Sequence, residues 1–95
     1  MAKSANEIFL WSDFYEKFTK QNSIYEFKYK DKIIFIGMIE KGRLNKRKVW
    51  HFVVNNLNNN DKVIYSEYGT AELLLENACI EGKKIRELWE DLIIE

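Results

Sequence analysis

Residues 80–94, IEGKKIRELWEDLII, carry the most regular apolar spacing in the chain. Ile85, Leu88, Trp89 and Leu92 fall at i, i+3, i+4 and i+7, the spacing that lines one face of a helix. Lys84, Arg86, Glu87, Glu90 and Asp91 take the other directions, so the run predicts a closing helix over about 83–93. An apolar helical face has to be buried against another element. The sequence upstream supplies a sheet for it.

Between Ile24 and Tyr68 the apolar period falls to two. Tyr25, Phe27 and Tyr29 alternate with Glu26, Lys28 and Lys30, which predicts a half-buried strand over 24–30. Residues 33–39 are apolar at both alternations, as expected of a central strand covered on both faces. Gly37 inside it predicts a bulge or the close approach of a neighbouring ring. Residues 40–48 are a polar link with Gly42 available for a positive φ. A third strand over 49–55 sets Trp50, Phe52 and Val54 against Val49, His51 and Val53. The asparagine-rich stretch 55–61 reads as a loop, because Asn and Asp bond to their own backbone, and a fourth strand follows over 62–68. Short polar links favour an antiparallel meander over parallel crossovers.

Ser4-Ala5-Asn6-Glu7 has the form of a capping box and predicts a helix over about 5–20, with Ile8, Trp11, Tyr15 and Phe18 on its apolar side. The competing reading makes 7–11 a short strand and lets Ser12 cap a helix that begins at Asp13. Gly69 ends the last strand, and Thr70 is placed to cap a helix over about 71–78 that packs Leu73, Leu74 and Leu75. Glu81-Gly82 breaks the chain ahead of the closing run. The expected fold is α+β: an N-terminal helix, a four-stranded antiparallel meander, and two C-terminal helices packed on the sheet, in one domain spanning 1–95.

Bulk properties narrow the functional classes. The 95 residues include 15 Lys and Arg against 15 Asp and Glu, a balance that argues against generic binding to nucleic acid or to an anionic membrane. One cysteine excludes an internal disulfide and a Cys-based metal cluster within the chain, and with no apolar run long enough to span a bilayer the expectation is a cytoplasmic protein. Charge is unevenly placed. Lys41, Arg43, Lys46, Arg47 and Lys48 lie close together with no acid between them, whereas 49–95 holds four bases and nine acids.

No pattern of residues spells out catalysis. His51 is the only histidine, and at a strand position between Trp50 and Phe52 it reads as structural or surface-exposed. Cys79, between Ala78 and Ile80, reads as a small buried apolar residue, and a Cys79–His51 dyad has nothing to support it. Glu87, Glu90, Asp91 and Glu95 read as a solvated helix face, and phosphate loops, nucleophile elbows and metalloprotease motifs are absent. No catalytic residue, metal or cofactor is therefore expected. The basic link, KGRLNKRK, is the candidate contact, since cations on a strand-to-strand tip suit a phosphate backbone as well as a protein. Tyr25, Phe27 and Tyr29 could stack bases, but alternating aromatics are more commonly core.

The segment EYGTAELLLENACIEGKKIRELWEDLII resembles the ending of small uncharacterised proteins encoded by phages and integrated elements of low-GC bacteria. The matching residues are Glu72-Leu73-Leu74, Asn77, Ile80-Glu81-Gly82-Lys83 and Leu88-Trp89. The resemblance implies a gene on a mobile element and no particular activity. Together these readings predict a non-enzymatic module that binds a protein or nucleoprotein partner as an inhibitor of a host system. The alternative is a nucleic-acid-binding protein acting through 41–48. The acidic C-terminal half could complement the basic link of a second copy, which would give a homodimer.

Overall fold

Every strand pairing among the described residues is antiparallel, and the longest ladder joins β3 (Lys32–Lys41) to β4 (Arg47–Asn56) across ten residue pairs. The computed structural model describes residues 3–21, 23–57 and 63–94. The remaining elements are β1 (Lys3–Ser4), α1 (Ala5–Ile8), α2 (Trp11–Lys20), β2 (Tyr25–Tyr29), β5 (Val63–Tyr68), α3 (Ala71–Asn77), β6 (Cys79–Ile80), β7 (Lys83–Lys84) and β8 (Ile93–Ile94). The expected α+β class and antiparallel sheet are present. The sheet has six strands instead of four, in the order β1-β8-β2-β3-β4-β5, and β6 and β7 form a separate hairpin. The expected start of the last meander strand at Lys62, and residues 58–61 of the asparagine-rich loop, lie outside the described residues.

The two extra strands come from the chain ends. Lys3 and Ser4 pair with Ile94 and Ile93, and Ile93 also pairs with Lys28, so β8 is inserted between β1 and β2. This insertion is incompatible with the predicted closing helix over 83–93. Residues 83–84 join the β6–β7 hairpin, 85–91 form successive turns, and 93–94 enter the sheet. The turns are mainly tight i to i−3 bonds, Glu87 N–H to Lys84 O at 3.0 Å, Leu88 to Ile85 at 3.1 Å and Asp91 to Leu88 at 2.8 Å. The Leu92 carbonyl accepts from Ala5 N–H at 2.7 Å, and Ser4 Oγ donates to the Glu90 carbonyl at 2.9 Å. These bonds hold the closing run to the N-terminal segment, and the pairing of 93–94 in the sheet ends the run as strand. Ile85, Leu88, Trp89 and Leu92 are all buried nevertheless, because a chain of three-residue turns also brings i and i+3 to one side.

The N-terminal helix is divided in the same way. Ser4 caps α1, accepting from Asn6 N–H, but Phe9 and Leu10 are extended and a second helix starts at Trp11 without a side-chain cap. The Phe9 carbonyl accepts a 2.9 Å bond from the Trp89 indole N–H, a tertiary contact that replaces a helical one. Neither an unbroken helix over 5–20 nor a helix begun at Asp13 is formed. Thr70 caps α3 as expected, accepting from Leu73 N–H at 3.1 Å, and Leu74 and Leu75 are buried while Leu73 is exposed.

All helices lie on one face of the sheet. Phe14 of α2 meets Tyr25 and Phe27 with ring centroids 5.0 and 5.8 Å apart, α3 contacts β4 and β5, and Trp89 fills the space between at 4.5 Å from Phe14 and 5.6 Å from Phe27. The core of Phe14, Phe18, Phe27, Ile34, Ile36, Phe52, Leu74, Ile85, Leu88 and Leu92 is closed on this side alone. The expectation that 33–39 is covered on both faces is therefore wrong: no described element packs on the opposite face.

Candidate partner-binding surface

Directly paired residues point to the same side of a sheet, and neighbours along a strand alternate. The ladder registers therefore place Ile33, Phe35, Gly37 and Ile39 of β3 on the uncovered face with Val49, His51, Val53 and Asn55 of β4. Glu26 and Lys28 of β2 border this surface on one side, and Val63, Tyr65 and Glu67 of β5 on the other. The apolar part is centred on β3 and β4, continues onto β5 through Val63 and Tyr65, and is bordered by Glu26 and Lys28 on one side and by Glu67 on the other. Ile33, Phe35, Ile39, Val49 and Val53 are half-buried by one another, while Val63 and Tyr65 are more than half exposed.

At Gly37 the stripe is occupied by the side chain of Ile24. A Cβ there would lie 2.7 Å from Ile24 Cγ1, so an aliphatic side chain occupies the notch where the sequence suggested a ring, and the unbroken register rules out a bulge. At the end away from the basic link, Ile33, Phe35, Asn55, Leu57 and Val63 line a groove of about 330 Å³.

The basic link forms the other end. Gly42 has φ +105° as expected, and a Cβ on it would meet the Asn45 carbonyl at 2.7 Å, so only glycine fits the turn. Arg43, Lys46, Arg47 and Lys48 are exposed, and no ion pair engages them among the described residues. Lys41 is separate from this group: it is half-buried and paired with Glu67. The Lys41 ammonium and the Tyr65 hydroxyl, the latter at 2.9 Å, hold the Glu67 carboxyl below its ordinary pKa, and Glu67 in turn raises Lys41. Leu44, at the apex between the free cations, is 95% exposed. Four of the five predicted contact residues therefore stay together and available, and one serves the sheet.

The other candidates separate. Phe27 and Tyr29 are buried and Tyr25 packs on Phe14 and Phe18, so the aromatic row is core and offers no platform for bases. Cys79 is exposed on the β6–β7 hairpin, contrary to the expected buried position, and its Sγ donates to the Asn77 carbonyl at 3.4 Å. His51 lies on the uncovered face of β4, away from that hairpin. Burial of its ring lowers the pKa, partly offset by Glu67 across the ladder, and Nδ1 is buried without a hydrogen-bond partner among the described residues. Among the described residues no group of three His, Cys, Asp or Glu could hold a metal, and no helix is long and apolar enough to cross a membrane.

A second concavity of about 440 Å³, open to solvent, lies between α2, α3 and the closing turns. Trp11, Tyr15 and Leu75 line it together with Glu76, Lys84 and Arg86. Comparison of the chain with models of protein families, with curated proteins and with solved structures finds no match.

The sequence missed the apolar face because 33–39, on β3, was read as a strand covered on both faces. A signal was available. Charges alternate along β2, so one side of the sheet had to be wet at its margin, while the central strands carry Ile33, Phe35, Ile39, Val49 and Val53 on that same side.

Proposed function

We propose that the chain is a non-enzymatic module that binds a partner protein through the uncovered face of its sheet and the adjoining basic tip. The observation that carries this reading is the apolar stripe on β3 and β4, which no described helix covers. A contiguous apolar patch of this kind is kept exposed for a partner, since in isolation it invites aggregation. The exposed Leu44 between Arg43 and Lys46 adds a second apolar contact within a cationic setting. The C-terminal resemblance to phage and integrated-element proteins supports a mobile-element origin, and inhibition of a host protein by direct binding suits a small module of this design.

A second reading rests on Arg43, Lys46, Arg47 and Lys48, exposed on one tip and unneutralised by ion pairs among the described residues. Cations so placed could follow a phosphate backbone. Two experiments separate the readings. In the first, a partner is captured with the wild-type protein from its native host, purified, and reconstituted as a complex with wild type and with Phe35→Glu. Loss of the complex with Phe35→Glu is the expected result, and full retention by both Phe35→Glu and Val53→Glu would remove the sheet face from the reading. In the second, the protein is titrated with short DNA and RNA at two salt concentrations. Micromolar binding that falls steeply with salt and disappears on neutralising the four tip cations would establish the nucleic-acid reading instead.

A further inference from the structure

We infer that the occupant of the uncovered face is a single amphipathic helix of the partner, lying along β3 and β4 with acidic residues at the end over the basic tip. This rests on the protein-binding reading above and specifies the chemistry of the partner. Three features of the surface lead to it.

The first is width. Ile33, Phe35 and Ile39 on β3 and Val49 and Val53 on β4 form an apolar stripe whose central part is two strands across, with Val63 and Tyr65 of β5 widening it on one side. At about 4.8 Å per strand the central part is about 10 Å, the diameter of one helix. The second is length. From Ile33 to Ile39 is six steps of about 3.3 Å, or about 20 Å, which a helix of about 13 residues spans at 1.5 Å per residue. Leucines at i, i+3, i+4 and i+7 span about 10 Å and would face the half of the stripe next to the groove by Phe35, Leu57 and Val63, which would take the last of them.

The third is charge. Arg43 and Arg47 lie at one end of the stripe, whereas its flanks carry Glu26 with Lys28 and Glu67 with Lys41. Among the described residues the largest group of cations without an ion pair is the one at the tip, and it is complementary to acids on the helix end above it. The same arrangement disfavours a second copy of this chain as occupant. A facing six-stranded sheet would cover Glu26, Lys28 and Glu67 as well as the stripe, withdrawing charges from water with no new partners. A two-fold axis along the strands would also bring two basic tips together.

The test uses the full chain and two synthetic 14-residue peptides, each cross-linked from i to i+4 so that helicity is equal. Both carry leucine at i, i+3, i+4 and i+7; one has three Glu at its end and the other three Lys. Affinities are measured by fluorescence anisotropy, and the surface is mapped by amide chemical shifts. The acidic peptide is expected to bind about tenfold more tightly at low salt, with the gap narrowing as salt rises. Shifts should centre on Phe35, His51 and Val53, and binding should fall at least about tenfold with Phe35→Glu. Arg43→Glu with Arg47→Glu, both at exposed positions that spare the core, should reverse the preference.

Equal affinities for the two peptides, or shifts located elsewhere, would overturn the inference. So would a dimer in sedimentation that Phe35→Glu dissociates, since it would identify a second copy as the occupant. A purified partner complex that depends on Phe35 while neither peptide binds would also overturn it, and would leave the protein-binding reading intact.

Discussion

At the scale of single residues, Trp89 does more than its apolar spacing announces. Its ring lies within 6 Å of Phe14, Phe27 and Trp11, and its indole N–H holds the Phe9 carbonyl at the break between α1 and α2. Trp89→Ala removes that packing and leaves the carbonyl unsatisfied, at an expected cost of about 3 to 5 kcal/mol in urea unfolding. A loss under about 1 kcal/mol would show that the closing turns are not part of the core. His51 gives a pH prediction. Its pKa is lowered in the folded protein from an ordinary 6.5 by burial, so the unfolded chain takes up the proton first as pH falls. Its contribution is fully present above 6.5 and is lost as pH drops through the folded-state value. Urea midpoints measured from about pH 7 to pH 5 should decline in the wild type, and the decline should be shallower in His51→Gln. An unchanged slope would mean that burial of His51 is not coupled to folding. Neither role could be read in advance: the partners of Trp89 and His51 are distant in sequence, and only their apolar or strand-like setting was legible.

Among the elements, those governed by local chemistry agree with the sequence and those governed by distant partners do not. The strands β2 to β5 lie on the four segments read as strand, the α3 cap is the Thr70 that its position suggested, and the two-residue turn at Glu81-Gly82 has positive φ at both residues, 54° and 81°. Glu81 is held there by Lys32 at 3.1 Å and Lys30 at 3.3 Å, which lower its pKa and tie this turn to the β2–β3 turn. The predicted closing helix failed because β8 was invisible: two residues carry no period, and their strand state depends on β1 and β2 as neighbours. Deleting 93–95 tests that dependence. It strips β1 of its partner and uncovers the edge of β2, so the melting temperature should fall by about 10 °C, corresponding to about 2 kcal/mol. A change of less than about 2 °C would show that β1 and β8 contribute little to the fold.

For the whole molecule, the charge asymmetry and the asymmetric covering of the sheet belong together. All the helical and turn segments lie on one face, and their acids, Glu72, Glu76, Glu87, Glu90 and Asp91, are exposed there. The cations of the β3–β4 tip adjoin the other face, beside the apolar stripe. The stripe's residues were legible as strand, and the cations as a tip. What was not legible is that none of the described helices or turns packs on the stripe, because covering is a property of where three short helices and a set of turns go, and not of any one segment. Local physics is enough to determine alternation, caps and turns, and from the sequence alone these established the α+β class, the antiparallel order of the central strands and the isolation of the basic tip. The tertiary structure alone decided that both chain ends enter the sheet, that the closing run forms turns, and that one face remains open. Each of these outcomes depends on hydrogen bonds or burial between residues far apart in the chain, such as Ala5 with Leu92 and Phe9 with Trp89, and periodicity within a segment contains no information about them.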